Sequence, residues 1–249
     1  MSVAWRDYIE SDTKVLRGKP RIKGTRIPVS LILGYLATGC NPEQIIAEFP
    51  DLHHEQIAAC LDYARELAEL EQVEIMKKKF LINQAIVNSI GAAFQHAGVY
   101  VRGLRDDDER KNPLRNTLAE CLRGFELNYV QSVTDEVHCM NIVNLADTMT
   151  KKLGDTGILR RGRFRIGIAQ KALNLYLKYL WCLGDIPTPP HCPLDRRIID
   201  MLNLKGKDRK DYDWTKLDDI KKYEELIEKC RDVAGDTCLA EWELKEWTS

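Results

Sequence analysis

The stretch that decides the fold is IGIAQKALNLYLKYLWCL, residues 166–183. Large apolar side chains recur along it at the spacing of one helix face, and no proline interrupts them, so the pattern predicts an amphipathic helix. From residue 80 onward the other periodic segments have the same character. We therefore predict a mainly α chain, with a small unit at residues 1–79 and an all-α domain at residues 80–249.

Composition excludes several classes of protein. The chain has 249 residues, of which 44% are hydrophobic and 30% charged, so it can form a core and is not disordered. No apolar run reaches the roughly 18 to 20 residues that span a bilayer. The N-terminus also lacks the basic and apolar regions of a secretory signal, so no membrane association is expected.

Cysteine usage suits a reduced, cytoplasmic protein, because the eight cysteines are scattered and no two have CxxC spacing. The dipeptides His138-Cys139 and His191-Cys192 offer four possible metal ligands. Adjacent side chains rarely face one ion, and the pattern matches no common zinc spacing. We predict no metal site and no cofactor.

The first unit contains a short ribbon and then helices. Residues 14–29, KVLRGKPRIKGTRIPV, suggest short extended segments with turns at Gly18 and Gly24. A short helix follows, and Asn41-Pro42 begins the next, with asparagine as the cap and proline at the first helical position. A short helix, a tight turn and a helix form the outline of a helix-turn-helix.

Several segments of residues 10–64 together carry a family resemblance: GKPRIKGTRIPV (18–29), Leu36, Gly39, EQII (43–46), FPDL (49–52) and IAACLDYA (57–64). Through these segments the region resembles a small bacterial domain family of unknown function that looks like the antitoxins of toxin–antitoxin pairs. The resemblance implies a helix-turn-helix or winged-helix fold that contacts DNA or a protein partner and performs no chemistry.

The ribbon is strongly basic, with six cations and no acid across residues 14–26. Such a ribbon can neutralise several phosphates of DNA. The alternative is an edge strand that its charges protect from aggregation. The unit could also bind a protein partner or form a homodimer. The residues assigned to DNA here are Lys19, Arg21, Lys23 and Arg26.

The formal net charge of −1 conceals a second basic region in the centre of the chain. Residues 151–178 carry eight basic side chains and one acidic side chain, whereas the tail from residue 205 has more acids than bases. A glycine-containing loop that opens into a helix offers unpaired N–H groups to a phosphate. The alternative is an ordinary α-hairpin with a charged loop. The residues assigned to DNA here are Arg160, Arg161, Arg163, Arg165 and Gly167.

A proline-rich segment, IPTPPHCP at residues 186–193, should be rigid and extended. It leads to Asp195 at the start of another helix, where the helix dipole stabilises a carboxylate. The alternative role for Asp195 is a simple N-terminal cap.

The region from about 130 to 205 resembles the helix-hairpin-helix DNA glycosylase superfamily. GIAQKA (167–172) occupies the hairpin position, and PLDRRI (193–198) occupies the position of the acidic residue. In the lyase-competent members a catalytic lysine stands where this chain has Lys171. The chain departs from the family in having Ala169 in place of a second glycine and a longer stretch between Lys171 and Asp195.

This resemblance implies chemistry at two residues. Asp195 would stabilise the oxocarbenium-like sugar or orient water, and Lys171 would attack the sugar and form a Schiff base. Lys178, further along the same helix, is a second amine nearby. The base must leave the stack, so aromatic side chains should form a pocket for it. We assign Tyr176, Tyr179 and Trp181 to that pocket, with core packing as the alternative.

The sequence therefore predicts an enzyme that hydrolyses the N-glycosidic bond of a modified or damaged base in DNA. Such an enzyme would suit repair or defence against phage. One alternative is a non-catalytic, DNA-binding, antitoxin-like regulator with a protein partner. Another is a helical binding protein with no role in nucleic-acid binding. The sequence does not identify the base.

Overall fold

The chain divides into two compact units, and nearly all of its regular secondary structure is helical. The computed structural model describes residues 4–105, 108–202, 204 and 212–248. Unit 1 is Met1–Lys79 and unit 2 is Phe80–Ser249. The prediction of a mainly α chain is confirmed, because the strands in the described residues are one short antiparallel pair.

Unit 1 begins with a β-ribbon and continues with helices. The turns expected in the ribbon contain Gly18 and Gly24, whose φ angles of +81° and +74° favour glycine. The strands place Ile9 opposite Ile22, and both side chains are buried. The elements of this unit are strands β1 (Ile9–Glu10) and β2 (Arg21–Ile22), helices α1 (Val29–Ala37) and α2 (Pro42–Glu48), and the first part of α3 (His54–Phe94).

The two short helices are joined by a tight turn, as residues 29–48 led us to expect. Asn41 caps α2 in a reciprocal capping box with Gln44, and Pro42 occupies the first position of the helix. The core of this unit consists of side chains from the ribbon and from all three helices, including Ile22, Ile32, Ile45 and Ile57.

Helix α3 is longer than the sequence suggested. The change of composition near residue 80 predicts that one helix ends near residue 79 and another begins after it, and this prediction is wrong. The helix runs unbroken for 41 residues, and no glycine or proline lies between Tyr63 and Gly91 to stop it. Within the described residues, no helix is both long and apolar enough to cross a membrane.

Unit 2 is organised around helix α6 (Ile166–Cys182). The first half of this helix, from Ile166 to Asn174, is buried on every side. Helix α6 packs against α4 (Lys111–Phe125), α5 (Asp135–Leu153) and α8 (Ile220–Ala234). A helix that is buried all round positions its polar side chains rigidly. The helices that follow α3 are α4 (Lys111–Phe125), α5 (Asp135–Leu153), α6 (Ile166–Cys182), α7 (Arg196–Met201), α8 (Ile220–Ala234) and α9 (Leu239–Thr248).

Candidate functional site

Polar side chains on α6 hold the extended segment that precedes α7. Asn174 Nδ2 donates to the carbonyl oxygen of Cys192 at 3.0 Å. Gln170 makes a two-way contact with Leu194: its Nε2 donates to the carbonyl oxygen at 2.8 Å, and its Oε1 accepts from the backbone N–H at 3.1 Å. Because all these groups are buried, leaving them unpaired would be unfavourable. The contacts therefore fix where Asp195 begins α7.

Asp195 and Lys171 meet as a consequence. Oδ1 of Asp195 accepts from the backbone N–H of Ile198 and caps α7, while Oδ2 lies 3.8 Å from Lys171 Nζ. The carboxylate thus acts as the N-terminal cap and also faces the amine. The two roles that the sequence offered for Asp195 are compatible, because each uses a different oxygen.

The pair lies on the wall of a cavity of about 680 Å³, which we call the amine–carboxylate cavity. Burial lowers the pKa of the Lys171 amine from its ordinary value, and the nearby Asp195 carboxylate partly opposes this effect. A lysine that can lose its proton more readily than usual is a better nucleophile near neutral pH. The cavity is lined by His96, Lys171, Asp195, Ile199, Trp214 and Lys216, among others.

Trp214 is the aromatic residue of this cavity, and the sequence analysis did not select it. Lys171 Nζ lies 4.3 Å from the centroid of the indole ring, within the range of a cation–π contact. Gly167 packs against the same segment, because a Cβ built there would lie 1.8 Å from the Trp214 carbonyl oxygen. No local pattern could have paired these residues, since the contact depends on the folding of α6 against a distant segment.

The three aromatic residues assigned to a base pocket do not line the amine–carboxylate cavity. Tyr176 is completely buried and donates its hydroxyl to the Glu126 carboxylate. Tyr179 and Trp181 are half-buried and pack against the core. That assignment is therefore corrected: helical spacing directed these rings toward the interior and away from Lys171.

The assignment of Gly167 to a phosphate site is also corrected. The loop ends before Gly167, which is the second residue of α6. Its N–H donates to the carbonyl oxygen of Leu217 at 2.8 Å, and the preceding N–H of Ile166 donates to Asp218 Oδ1 at 3.1 Å. The chain's own acceptors thus occupy these donors at the start of the helix, which leaves them unavailable to a phosphate.

The four arginines of the basic loop have different environments. Arg163 is paired with Asp147 at 2.6 Å and with Asp218 at 3.2 Å, so two carboxylates of the protein already offset its charge. Arg165 donates to the carbonyl oxygens of Ala97 and Gly98. The other two, Arg160 and Arg161, line a second cavity together with Arg165.

The cations of the N-terminal ribbon also differ from one another. Arg21 pairs with Glu10 at 2.8 Å and its side chain is only 12% exposed, which removes it from the proposed DNA contacts. Lys23 Nζ donates to the backbone carbonyl of Arg6. Lys19, Lys23 and Arg26 are exposed, so these three assigned residues could reach a phosphate.

The two histidines considered as metal ligands lie together in a buried hydrogen-bonded network. His138 has both ring nitrogens engaged, by the Tyr129 hydroxyl at 2.7 Å and by Asn174 Oδ1 at 2.8 Å. His191 Nδ1 contacts the Tyr223 hydroxyl at 2.9 Å. Burial lowers the pKa of both imidazoles, so they are neutral at pH 7. The network supports Asn174, which holds the segment that carries Asp195.

Comparison with known proteins gives one match. A family described as a protein of unknown function (DUF433) matches residues 9–64. This range coincides with the antitoxin-like resemblance in unit 1, and the family description assigns no function. No curated protein and no solved structure matches the chain.

Proposed function

We propose that unit 2 is an enzyme that cleaves the N-glycosidic bond of a modified or damaged base in DNA. The observation that carries the proposal is the pairing of Lys171 with Asp195, at 3.8 Å, on the wall of a cavity of about 680 Å³. A lysine with a lowered pKa beside a carboxylate in a cavity is a combination that active sites use.

The chemistry assigned to Lys171 is nucleophilic attack. The neutral amine forms a bond to C1′ of the sugar while the bond from C1′ to the base breaks, and one proton of the amine passes to the departing base. The remaining amine proton passes to O4′ as the C1′–O4′ bond breaks, which gives a Schiff base. Water then hydrolyses the Schiff base, frees the amine and leaves an abasic sugar.

Asp195 is assigned to the charge that develops on the sugar. A carboxylate held 3.8 Å from the attacking amine is well placed to stabilise positive character at C1′ or to accept a proton from the amine. Trp214, with its ring beside Lys171, is assigned the role predicted for Tyr176, Tyr179 and Trp181, because an extruded base requires an aromatic or apolar wall.

The first experiment is to incubate the full chain with DNA duplexes that contain normal and modified bases, followed by an abasic-site assay. Asp195→Asn is the informative variant, because asparagine is also a good helix cap and only the charge is lost. We expect product formation to fall by about a hundredfold or more. Asp236→Asn is the matched control, since Asp236 is exposed and lies outside the cavity lining. Unchanged activity in Asp195→Asn would exclude the mechanism.

A second candidate function is a non-catalytic, DNA-binding regulator with a protein partner. The exposed cations Lys19 and Arg26 of the N-terminal ribbon and the tight turn between α1 and α2 favour it. This candidate predicts sequence-specific binding to an operator that survives Lys171→Met and is lost in a Lys19→Gln, Arg26→Gln variant. The enzyme proposal predicts that base removal is lost in Lys171→Met and survives in the Lys19→Gln, Arg26→Gln variant.

A further inference from the structure

A second cavity, of about 380 Å³, adjoins the amine–carboxylate cavity. We call it the arginine cavity, because Arg160, Arg161 and Arg165 line it. His96, Thr215 and Lys216 belong to the lining of both cavities. Among the described residues, the lining of the arginine cavity includes no carboxylate. A ligand that occupied both cavities would therefore meet positive charge next to the amine of Lys171.

In the described part of the chain, none of these three arginines has a carboxylate within ion-pair distance, whereas Arg163 in the same loop has two. The Nε of Arg165 is buried and has no hydrogen-bond partner. Burial lowers the pKa of the Arg165 guanidinium, and the charge of Arg160 lowers it further. Arg161 acts in the same direction, whereas the carboxylates of Asp218 and Asp213 oppose the effect. Like charges gathered in this way repel one another unless an anion lies between them.

The backbone around the cavity is strained. His96 and Arg161 have φ angles of +58° and +60°, in the left-handed region that costs a non-glycine residue about 1–2 kcal/mol. Both residues line the arginine cavity. Strain of this kind persists where the surrounding structure enforces it, and it concentrates at binding sites.

We infer that the arginine cavity binds a phosphate group of the substrate. The inference rests on the function proposed for the adjoining cavity and adds to it the substrate class: a nucleotide unit whose sugar faces Lys171 and whose phosphate lies among Arg160, Arg161 and Arg165. A free nucleoside would lack the group that these arginines recognise. The phosphate can come from a DNA backbone or from a free nucleotide, and planar guanidinium groups suit either source.

The test measures binding by the full chain to three probes: a single-stranded oligonucleotide with one tetrahydrofuran abasic analogue, a nucleoside monophosphate and the corresponding nucleoside. The variant is Arg160→Gln with Arg161→Gln, and the matched control is Lys151→Gln, which removes an exposed charge from the same basic stretch. We expect the double variant to weaken binding of a phosphate-bearing probe by about tenfold or more. The magnitude of the slope of the logarithm of the association constant against the logarithm of the salt concentration should decrease by about one to two.

Each outcome has a defined meaning. Weaker binding of the oligonucleotide alone assigns the phosphate to a DNA backbone, and weaker binding of the monophosphate alone assigns it to a free nucleotide. Wild-type affinity and salt slope in the double variant for both phosphate-bearing probes would overturn the inference. If the double variant melts early, Arg161→Gln alone repeats the test at an exposed side chain. Loss of base removal in Asp195→Asn with phosphate binding intact would separate the two proposals.

Discussion

Helix α6 carries two lysines, each beside a carboxylate and a tryptophan. The two pairs differ in how closely the lysine contacts its carboxylate and in whether the pair borders a cavity. Lys178 donates directly to Glu243, whose side chain is only 2% exposed. Lys171 lies 3.8 Å from Asp195, whose side chain is 24% exposed. Lys178 and Glu243 contact each other directly in the interior of unit 2, whereas Lys171 and Asp195 border a cavity.

The difference shows how similar residues can serve different purposes. A buried carboxylate in direct contact with an ammonium group is compensated, so the pair of Lys178 and Glu243 stabilises the structure. At Lys171 the longer separation and the adjoining space leave the amine and the carboxylate able to contact a third molecule. The comparison predicts that changes at Lys171 affect activity and changes at Lys178 affect stability.

The largest expected effect is the loss of covalent chemistry in Lys171→Met. Methionine keeps an unbranched apolar side chain beside Trp214 but has no amine, so borohydride trapping of the protein on substrate DNA should disappear. Base removal should fall by about 10² to 10⁴. The control is Lys178→Met with Glu243→Leu, which removes the other pair completely and should still be trapped. Trapping of Lys171→Met would mean that another amine performs the reaction.

The next effect is on stability, in Lys178→Met alone. This change leaves Glu243 buried without its partner, and we expect a loss of about 3–5 kcal/mol in the free energy of unfolding, measured with denaturant. Burial raises the pKa of Glu243, so the loss should shrink as the pH falls and the carboxyl becomes neutral. Adding Glu243→Leu should recover most of the stability. If Lys178→Met lowered the free energy of unfolding equally at all pH values, an unpaired Glu243 carboxylate would not be the cause of the loss.

A smaller effect is expected from Gly167→Ala, which tests the support of the cavity. The added methyl group would meet the Trp214 carbonyl oxygen at 1.8 Å, so the Trp214 segment must move away from Lys171. We expect a destabilisation of about 1–3 kcal/mol together with reduced trapping through Lys171. Gly91→Ala is the control, because nothing lies within 4 Å of its added carbon and alanine suits a helix better than glycine.

The smallest effect is a pH dependence at Lys171. Burial lowers the pKa of this amine from its ordinary value of 10.5, so trapping should rise with pH and reach its plateau below 10.5. Between the lowered pKa and 10.5 the unfolded chain holds more protons, so the free energy of unfolding should also rise with pH. The rise in stability should be absent in Lys171→Met. A trapping plateau only above pH 10.5 would contradict the lowered pKa.

The sequence identified the helical elements because their signals are local. Asn41-Pro42 begins α2 as expected, since capping depends on residues three positions apart. The length of α3 was misjudged because a change of composition at residue 80 was taken for a break, although nothing there stops a helix. Long uninterrupted helices carry no local marker of where one domain gives way to another.

By itself the sequence determined a mainly α chain, a basic centre, and a lysine and an aspartate on neighbouring elements. Only the tertiary structure decided which groups are available to a ligand. It pairs the N–H of Gly167 with the carbonyl oxygen of Leu217 and the guanidinium of Arg163 with Asp147. It also buries Tyr176 beside Glu126 and places Trp214 beside Lys171. Periodicity fixes which face of a helix is apolar, because it depends on neighbours three and four residues apart. Hydrogen bonds, ion pairs and cavities depend on residues far apart in the chain, and only the packing of the helices brings these together.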